Sequence, residues 1–138
     1  MLNVLVIDDN TDMTASLEML LRLWGCDVLC ANDGPSGLAL ANEYQADLIL
    51  LDISMPEMSG YEVARQLRAL AGGKGALLVA MSGLTDEKFR QQASESGFDI
   101  YLTKPGCGDE LKQVLTFATL RHRAQDSAAR LATVLTCC

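Results

Sequence analysis

Short apolar runs alternate with amphipathic stretches along almost the whole chain. The run Leu48-Ile49-Leu50-Leu51 is apolar at every position and ends in Asp52, which is typical of a strand buried on both faces. Further short strands are predicted at residues 2–7, 27–31, 76–81 and 99–103. The intervening stretches carry apolar residues at helical spacing, so each predicted strand is followed by a predicted helix.

Residues that favour helix starts and helix ends lie at the borders of the predicted helices. The first helix is expected to be capped by Thr11 or Asp12 and to stop at Gly25. Pro35 suits the first turn of the second helix, and Ser59 is the expected cap of the third. Five strand–helix repeats with short connections predict an α/β fold, a parallel sheet with helices on both faces.

The pattern loosens after Leu120, so residues 1–120 are predicted to form one domain and residues 121–138 a C-terminal tail. Leu131, Val134 and Leu135 keep helical spacing within that tail. The tail is therefore predicted to be a helical extension or a linker.

Composition narrows the function classes. The net charge of −7 makes the chain a poor electrostatic match for nucleic acid. No apolar run approaches the ~18 residues of a membrane helix, and no signal peptide is expected. The five cysteines form no C-x-x-C pair and fit reduced thiols, so a cytoplasmic protein is predicted.

Chemically active side chains stand at the ends of the predicted strands. Because parallel strands end at one edge of a sheet, the residues at those ends are expected to meet there. They are Asp8 and Asp9 after the first strand, Asp52 after the third, Ser82 after the fourth and Lys104 after the fifth.

Three carboxylates, a hydroxyl and an ammonium group at one edge predict a specific chemistry. Crowded carboxylates repel each other unless a cation compensates them, and hard carboxylate oxygens suit Mg²⁺. Asp52 can then act as a nucleophile towards phosphorus, while Lys104 and the Ser82 hydroxyl hold phosphoryl oxygens. The sequence therefore predicts an aspartyl-phosphate site.

These segments resemble the receiver domains of response regulators in two-component phosphorelay signalling. The matching pieces are Val6-Ile7-Asp8-Asp9-Asn10, Leu51-Asp52-Ile53-Ser54-Met55-Pro56 with Gly60, Met81-Ser82-Gly83 and Tyr101-Leu102-Thr103-Lys104-Pro105. They span residues 2 to about 118. The segments at residues 21–25 and 60–64 also resemble receivers attached to hybrid histidine kinases.

The resemblance implies a flavodoxin-like, CheY-like doubly wound fold with five strands in the order 2-1-3-4-5. It implies Asp52 as phosphoacceptor, and Asp8, Asp9, Asp52 and the Ser54 carbonyl around Mg²⁺. It further implies phosphoryl contacts from Ser82 and Lys104, with Tyr101 as the switch aromatic.

The implied partner is a histidine kinase or a histidine phosphotransfer protein, and the only implied catalysis is the domain's own phosphorylation and dephosphorylation. The surface of helix 4, strand 5 and helix 5 is expected to carry output contacts or a homodimer. Lys88, Phe89, Tyr101 and Lys112 are placed on that surface. Neither the output partner nor the cognate kinase is predicted.

Three other functions share part of this chemistry. A phosphatase of the haloacid-dehalogenase type also uses an aspartyl nucleophile, but it has a second acid two residues later, where this chain has Ser54. A receiver-like module that is never phosphorylated would not need the full acidic set. A flavodoxin would need a Ser/Thr/Gly-rich phosphate loop after the first strand.

Overall fold

The computed structural model describes residues 1–70, 75–83, 87–103 and 108–136, with side chains described up to residue 125 apart from Gly108. In chain order the elements are β1 (Asn3–Ile7), α1 (Thr11–Leu23), β2 (Asp27–Ala31), α2 (Gly34–Glu43), β3 (Leu48–Asp52), α3 (Gly60–Ala69), β4 (Leu77–Ser82), α4 (Glu87–Ser96), β5 (Ile100–Thr103) and α5 (Gly108–Thr136). All paired strands are parallel, and the sheet order is β2-β1-β3-β4-β5. The predicted fold class and strand order are confirmed.

The central strands are buried on both faces, and alternate residues pack into two separate cores. Leu5, Ile49 and Leu78 face the layer that contains α2, α3 and α4. Val4 and Leu50 face the layer that contains α1 and α5. The apolar run before Asp52 is therefore explained by a strand sandwiched between two helical layers.

Two of the predicted helix starts are confirmed and one is wrong. The Ser59 side chain accepts from the Glu62 N–H at 3.4 Å, and Pro35 lies in the first turn of α2. The cap of α1, however, is Asn10, whose Oδ1 accepts from the Asp12 and Met13 N–H groups, both at 3.1 Å. Asn10 was overlooked because the chain already offers acceptable caps one and two residues later.

Arg68 of α3 ties together several elements at the amino-terminal edge of the sheet. Its guanidinium donates to the Gly97 carbonyl at 2.9 Å, to the Ala76 carbonyl at 2.8 Å and to Asp99 Oδ2 at 2.7 Å. Asp99 Oδ2 also accepts from the Leu78 N–H at 2.9 Å. Arg68 thereby joins α3, the start of β4 and the turn between α4 and β5.

Helix α5 runs without a break from Gly108 to Thr136 and includes most of the predicted tail. Near residue 121 it is fastened to the amino-terminal edge of the sheet. Arg121 donates to the Gly75 carbonyl at 3.1 Å, and His122 Nδ1 lies 3.0 Å from Asp47 Oδ1. None of the helices among the described residues combines the length and the apolar character needed to cross a membrane.

Candidate functional site

Three carboxylates meet at the carboxyl-terminal edge of the sheet. Asp8 and Asp9 follow β1, Asp52 ends the adjacent strand β3, and one oxygen from each lies within 4.8 Å of the others. Asp8 and Asp52 are buried, whereas Asp9 is exposed. Hard oxygen ligands at this spacing, with one side open to water, are suited to a divalent cation that retains part of its hydration shell.

Asp52 is more enclosed than the sequence suggested. Although it ends a strand at the edge of the sheet, the residue is only 6% exposed. The Ser54 N–H donates to its Oδ1 at 3.1 Å, which offsets part of the cost of desolvating the carboxylate. The carboxylate therefore lies at the edge of the sheet but inside a cleft.

The loop after Asp52 folds tightly back onto the strand end. The Gly60 N–H donates to the Ile53 carbonyl at 2.9 Å, and Glu57 adopts a left-handed φ of 67°. A Cβ on Gly60 would meet the Asp52 carbonyl oxygen and would lie 2.6 Å from the Ile53 Cα. The absence of a side chain at Gly60 thus lets the start of α3 pack directly against the backbone of Asp52.

Asp8 is held by neighbours whose roles the sequence did not reveal. The Asn10 N–H donates to Asp8 Oδ1 at 3.0 Å, while Asn32 Nδ2 donates to the Asp8 carbonyl at 3.0 Å and to Thr14 Oγ1 at 3.1 Å. The contacts of Asn32 connect the end of β1 to α1 and to the turn after β2. The sequence Asn32-Asp33-Gly34 is typical of a turn, but it does not indicate that Asn32 reaches the site.

Ser82 ends β4 beside Asp52 and is completely buried. In the strand register Met81 is the partner of Asp52, and Ser82 is the partner of Thr103 on β5. The hydroxyl of Ser82 is therefore carried by the strand next to the phosphoacceptor candidate.

Tyr101 lies half-buried on β5, next to Ala80 of β4 in the register. The Arg90 guanidinium stacks over its ring at 4.9 Å from the centroid. On the same side Tyr61 donates to the Phe89 carbonyl at 3.3 Å. Burial is the main cause that raises the pKa of the Tyr61 phenol, and the neighbouring Tyr101 contributes to the same shift. Both rings therefore border one partly desolvated region between α3, α4 and β5.

The structure brings together most, but not all, of the predicted site. Asp8, Asp9 and Asp52 form one cluster, Ser82 lies on the next strand, and Ser54 is exposed in the loop after Asp52. Lys104 lies outside the described residues, so its position in the site stays a prediction.

Lys112 was wrongly placed on the surface of helix 4, strand 5 and helix 5. Its ammonium group lies 5.4 Å from the centroid of the Trp24 ring, at the end of α1. Position 112 falls on the side of α5 that faces α1, because positions 110, 113 and 117 already line the side next to β5. Lys88, Phe89 and Tyr101 remain on the α4 and β5 side.

Comparison with known proteins gives the same family from the sequence and from the fold. The family model of the response regulator receiver domain matches residues 4–116. KdpE of Mycobacterium tuberculosis, a transcriptional regulatory protein, is 36% identical over 121 residues, which are 88% of this chain and 52% of KdpE. PrrA of the same organism, also a transcriptional regulatory protein, is 37% identical over 131 residues, which are 95% of this chain and 55% of PrrA. The chain thus spans about half the length of the curated relatives it matches.

Solved structures of similar fold include chemotaxis protein CheY4 of Vibrio cholerae, with a TM-score of 0.81 and 27% identity over 86% of this chain and 98% of CheY4. The receiver domain of a sensor histidine kinase of Pseudomonas aeruginosa has a TM-score of 0.76 and 28% identity. The match covers 83% of this chain and 93% of that domain, which was crystallised with a magnesium ion in its active-site cleft. The parallel sheet, the acidic cluster at its edge and these matches all agree. The chain therefore belongs to the response regulator receiver domains, the phosphoacceptor signalling switches of two-component systems.

Proposed function

We propose that Asp52 is the phosphoacceptor and that it takes its phosphoryl group from a phosphohistidine of a histidine kinase or a histidine phosphotransfer protein. The observation that supports this most directly is the cluster of Asp8, Asp9 and Asp52 at the carboxyl-terminal edge. An Asp52 carboxylate oxygen attacks phosphorus, the bond from phosphorus to the donor nitrogen breaks, and the histidine leaves with its electron pair.

Asp8, Asp9, Asp52 and the Ser54 carbonyl would hold Mg²⁺ at this cluster. The three carboxylates fit that ion, because their oxygens are hard, close together and open to water on the side of Asp9. When bound, Mg²⁺ would neutralise charge on the phosphoryl oxygens. Asn10 and Asn32 would keep Asp8 in position through their hydrogen bonds.

Ser82 and Lys104 would receive the remaining phosphoryl oxygens, and the movement of Ser82 would be transmitted to Tyr101. Ser82 is fully buried on β4, so any shift of its hydroxyl towards Asp52 leaves space near β5. Tyr101 would turn into that space and leave its stacking contact with Arg90. The result is a changed surface of α4, β5 and α5, including Lys88 and Phe89, for an output partner or a phosphorylation-dependent homodimer.

The catalysis in this proposal is restricted to the domain's own phosphorylation and dephosphorylation. A cytoplasmic location is part of the same proposal, because the cysteine pattern fits reduced thiols.

The test is phosphorylation by acetyl phosphate, followed by intact-mass measurement. The wild type is expected to gain one phosphoryl group in Mg²⁺ and none in EDTA, whereas Asp52→Asn gains none in either. Asp12→Asn, in the first turn of α1, is the matched control and should behave as the wild type. Labelling of Asp52→Asn at the wild-type rate would contradict the assignment.

The switch step is tested separately by NMR in beryllofluoride, a phosphoryl mimic. Wild-type protein should show shifts at Tyr101, Arg90 and the α4 amides. Ser82→Ala should still bind the mimic at Asp52 but lose those distant shifts. Equal distant shifts in both proteins would exclude Ser82 as the transmitting residue.

A further inference from the structure

A groove lies between the end of α1 and α5, and it reaches the amino-terminal edge of the sheet at Leu2. Its volume is about 720 Å³, and pockets that hold small ligands range over about 300–1,000 Å³. Leu2 and Trp24 line it, together with Leu115 and Leu120 of α5. Trp24 and Leu115 are only partly buried, and Leu120 is 58% exposed. The α1–α5 groove therefore leaves apolar surface open to solvent.

The α1–α5 groove also has a positive lining in a chain whose net charge is −7. Lys112 and Arg123 line it, and none of the described side chains that line it is acidic. The Lys112 ammonium lies over the Trp24 ring, 5.4 Å from the centroid. Within the described part of the chain neither Lys112 nor Arg123 forms an ion pair, whereas His122 already faces Asp47. The groove is therefore complementary to a negative charge.

The dimensions of the groove restrict what can enter it. Lys112 and Arg123 are eleven residues apart on α5, which is about 16 Å along the helix axis. A volume of 720 Å³ spread over that length has a mean width of about 7 Å, whereas an α-helix with its side chains is about 10–12 Å across. A partner helix is thus too wide, and a ligand that fits must be narrow.

The chemistry of the walls separates the narrow ligands. An extended peptide would be thin enough, but its buried backbone N–H and C=O groups would need hydrogen-bond partners. Leu115 and Leu120 provide none, and the Thr116 hydroxyl already donates to a carbonyl of its own helix at 3.0 Å. A ligand with an apolar body and one charged end has no such requirement.

We propose that the α1–α5 groove binds a free medium-chain organic acid, with its apolar chain along Trp24 and Leu115 and its carboxylate at the Lys112 ammonium. Enclosing the chain removes apolar surface of both molecules from water. Lys112 is the better partner for the carboxylate, because the Trp24 ring restricts its position before the ligand arrives. Arg123 adds positive charge at the other end of the groove.

This site is separate from the acidic cluster. The groove reaches the amino-terminal edge of the sheet at Leu2, whereas Asp8, Asp9 and Asp52 meet at the carboxyl-terminal edge. Binding of the acid should require neither Asp52 nor Mg²⁺, so Asp52→Asn in EDTA should bind it as the wild type does. Failure of the phosphoacceptor assignment and failure of this site therefore give separate results.

The experiment is titration of the full chain with decanoate below its micelle concentration, followed by calorimetry and by the fluorescence of Trp24, the single tryptophan. Decanol provides the same chain without the charge. The wild type should bind decanoate saturably and about five- to tenfold more tightly than decanol. Lys112→Gln should bring the two dissociation constants within about twofold of each other. Lys88→Gln is the matched control, because Lys88 also lies over an aromatic ring, that of Phe89 at 5.1 Å, but outside the groove, and it should keep the wild-type preference.

A second pair of variants tests the apolar wall. Leu120 and Phe117 are both exposed apolar residues of α5, at 58% and 53%, so replacing either leaves the core intact. Leu120 lines the groove, whereas Phe117 lies on the side next to β5. Leu120→Gln should weaken binding of decanoate and of decanol about threefold or more, and Phe117→Gln should leave both within about twofold. Circular dichroism and the unfolding midpoint establish that the variants fold.

The proposal is overturned if the wild type shows no saturable binding of decanoate, or if it binds decanol as tightly. A preference for decanoate that survives Lys112→Gln overturns it as well. Binding to vesicles of anionic lipid without binding of monomeric decanoate would also overturn it, because this face would then be a membrane contact.

Discussion

Asp9→Asn is expected to raise stability in EDTA and to lose most or all of that advantage in Mg²⁺. Asp9 is the exposed member of the acidic cluster, and its carboxylate lies within 4.8 Å of both Asp8 and Asp52. At that separation each pair of charges repels by about 0.9 kcal/mol in water and about 3.5 kcal/mol at an effective dielectric constant of 20. Because Asp9 faces solvent, the lower value applies, and the two pairs together amount to about 2 kcal/mol at low ionic strength.

In EDTA, therefore, Asp9→Asn should be more stable than the wild type by about 1–2 kcal/mol. In Mg²⁺ the wild type gains binding free energy that the variant largely lacks. At a free ion concentration ten times the dissociation constant this gain is about 1.4 kcal/mol. The advantage of the variant should then shrink or disappear.

Urea unfolding followed by Trp24 fluorescence and by circular dichroism measures both differences. Asp12→Asn is the control, since it removes the same charge from the first turn of α1, where an acid interacts favourably with the helix dipole. It should lose a little stability in EDTA and retain the full gain from Mg²⁺. The reasoning is refuted if Asp9→Asn is less stable than the wild type in EDTA, or if Mg²⁺ stabilises it as much as the wild type.

Three further predictions concern residues around the sheet. Gly60→Ala should lower the free energy of unfolding by about 2–3 kcal/mol and slow phosphorylation, because the new methyl group meets the backbone of Asp52; urea unfolding and acetyl-phosphate labelling measure the two effects. Burial, and secondly the hydrogen bond to Asp27, raise the pKa of Tyr44 from 10.0 to about 12. The stability that Tyr44 adds over Tyr44→Phe should therefore be complete below pH 10 and be lost as the pH rises through 12. Denaturant titrations of both proteins across that pH range measure the difference. The hydrogen bond from the Ser36 N–H holds the pKa of Asp33 below 3.8. The melting temperature of Asp33→Ala should therefore lie below that of the wild type at pH 7. This difference should shrink as the pH falls below about 4.

The fold was predictable because hydrophobic burial imposes it on every strand. The run from Leu48 to Leu51 is typical of a strand covered on both faces, and the repeated alternation with helices leaves a parallel sheet as the simple arrangement. The meeting of Asp8, Asp9 and Asp52 follows from the same topology, since β1 and β3 are neighbours and end at the same edge. The strand order itself came from the family resemblance.

Features that depend on local geometry were not predictable in the same way. The burial of Asp52 depends on how the loop through Ser54 folds back, and the cap at Asn10 depends on which of three adjacent polar residues adopts extended backbone angles. Lys112 was misplaced because its side of α5 is set by the docking angle of that helix against Trp24. These outcomes depend on differences of a few ångströms between atoms, which the spacing of residues along the sequence does not reveal.

The contacts of Arg68 restrict how α4 can respond to a change at the opposite edge. The turn after α4 is fixed through Gly97 and Asp99, at the end remote from Ser82. If α4 moves in response to phosphorylation, as proposed, that fixed end would act as the pivot, and the displacement would grow along the helix towards Glu87, the end that follows Ser82 in the chain. A short movement at the acidic cluster would therefore reach a docked protein as a rotation of the α4 surface. Without the Arg68 contacts the turn after α4 would no longer be fixed, and α4 would have no defined point about which to rotate.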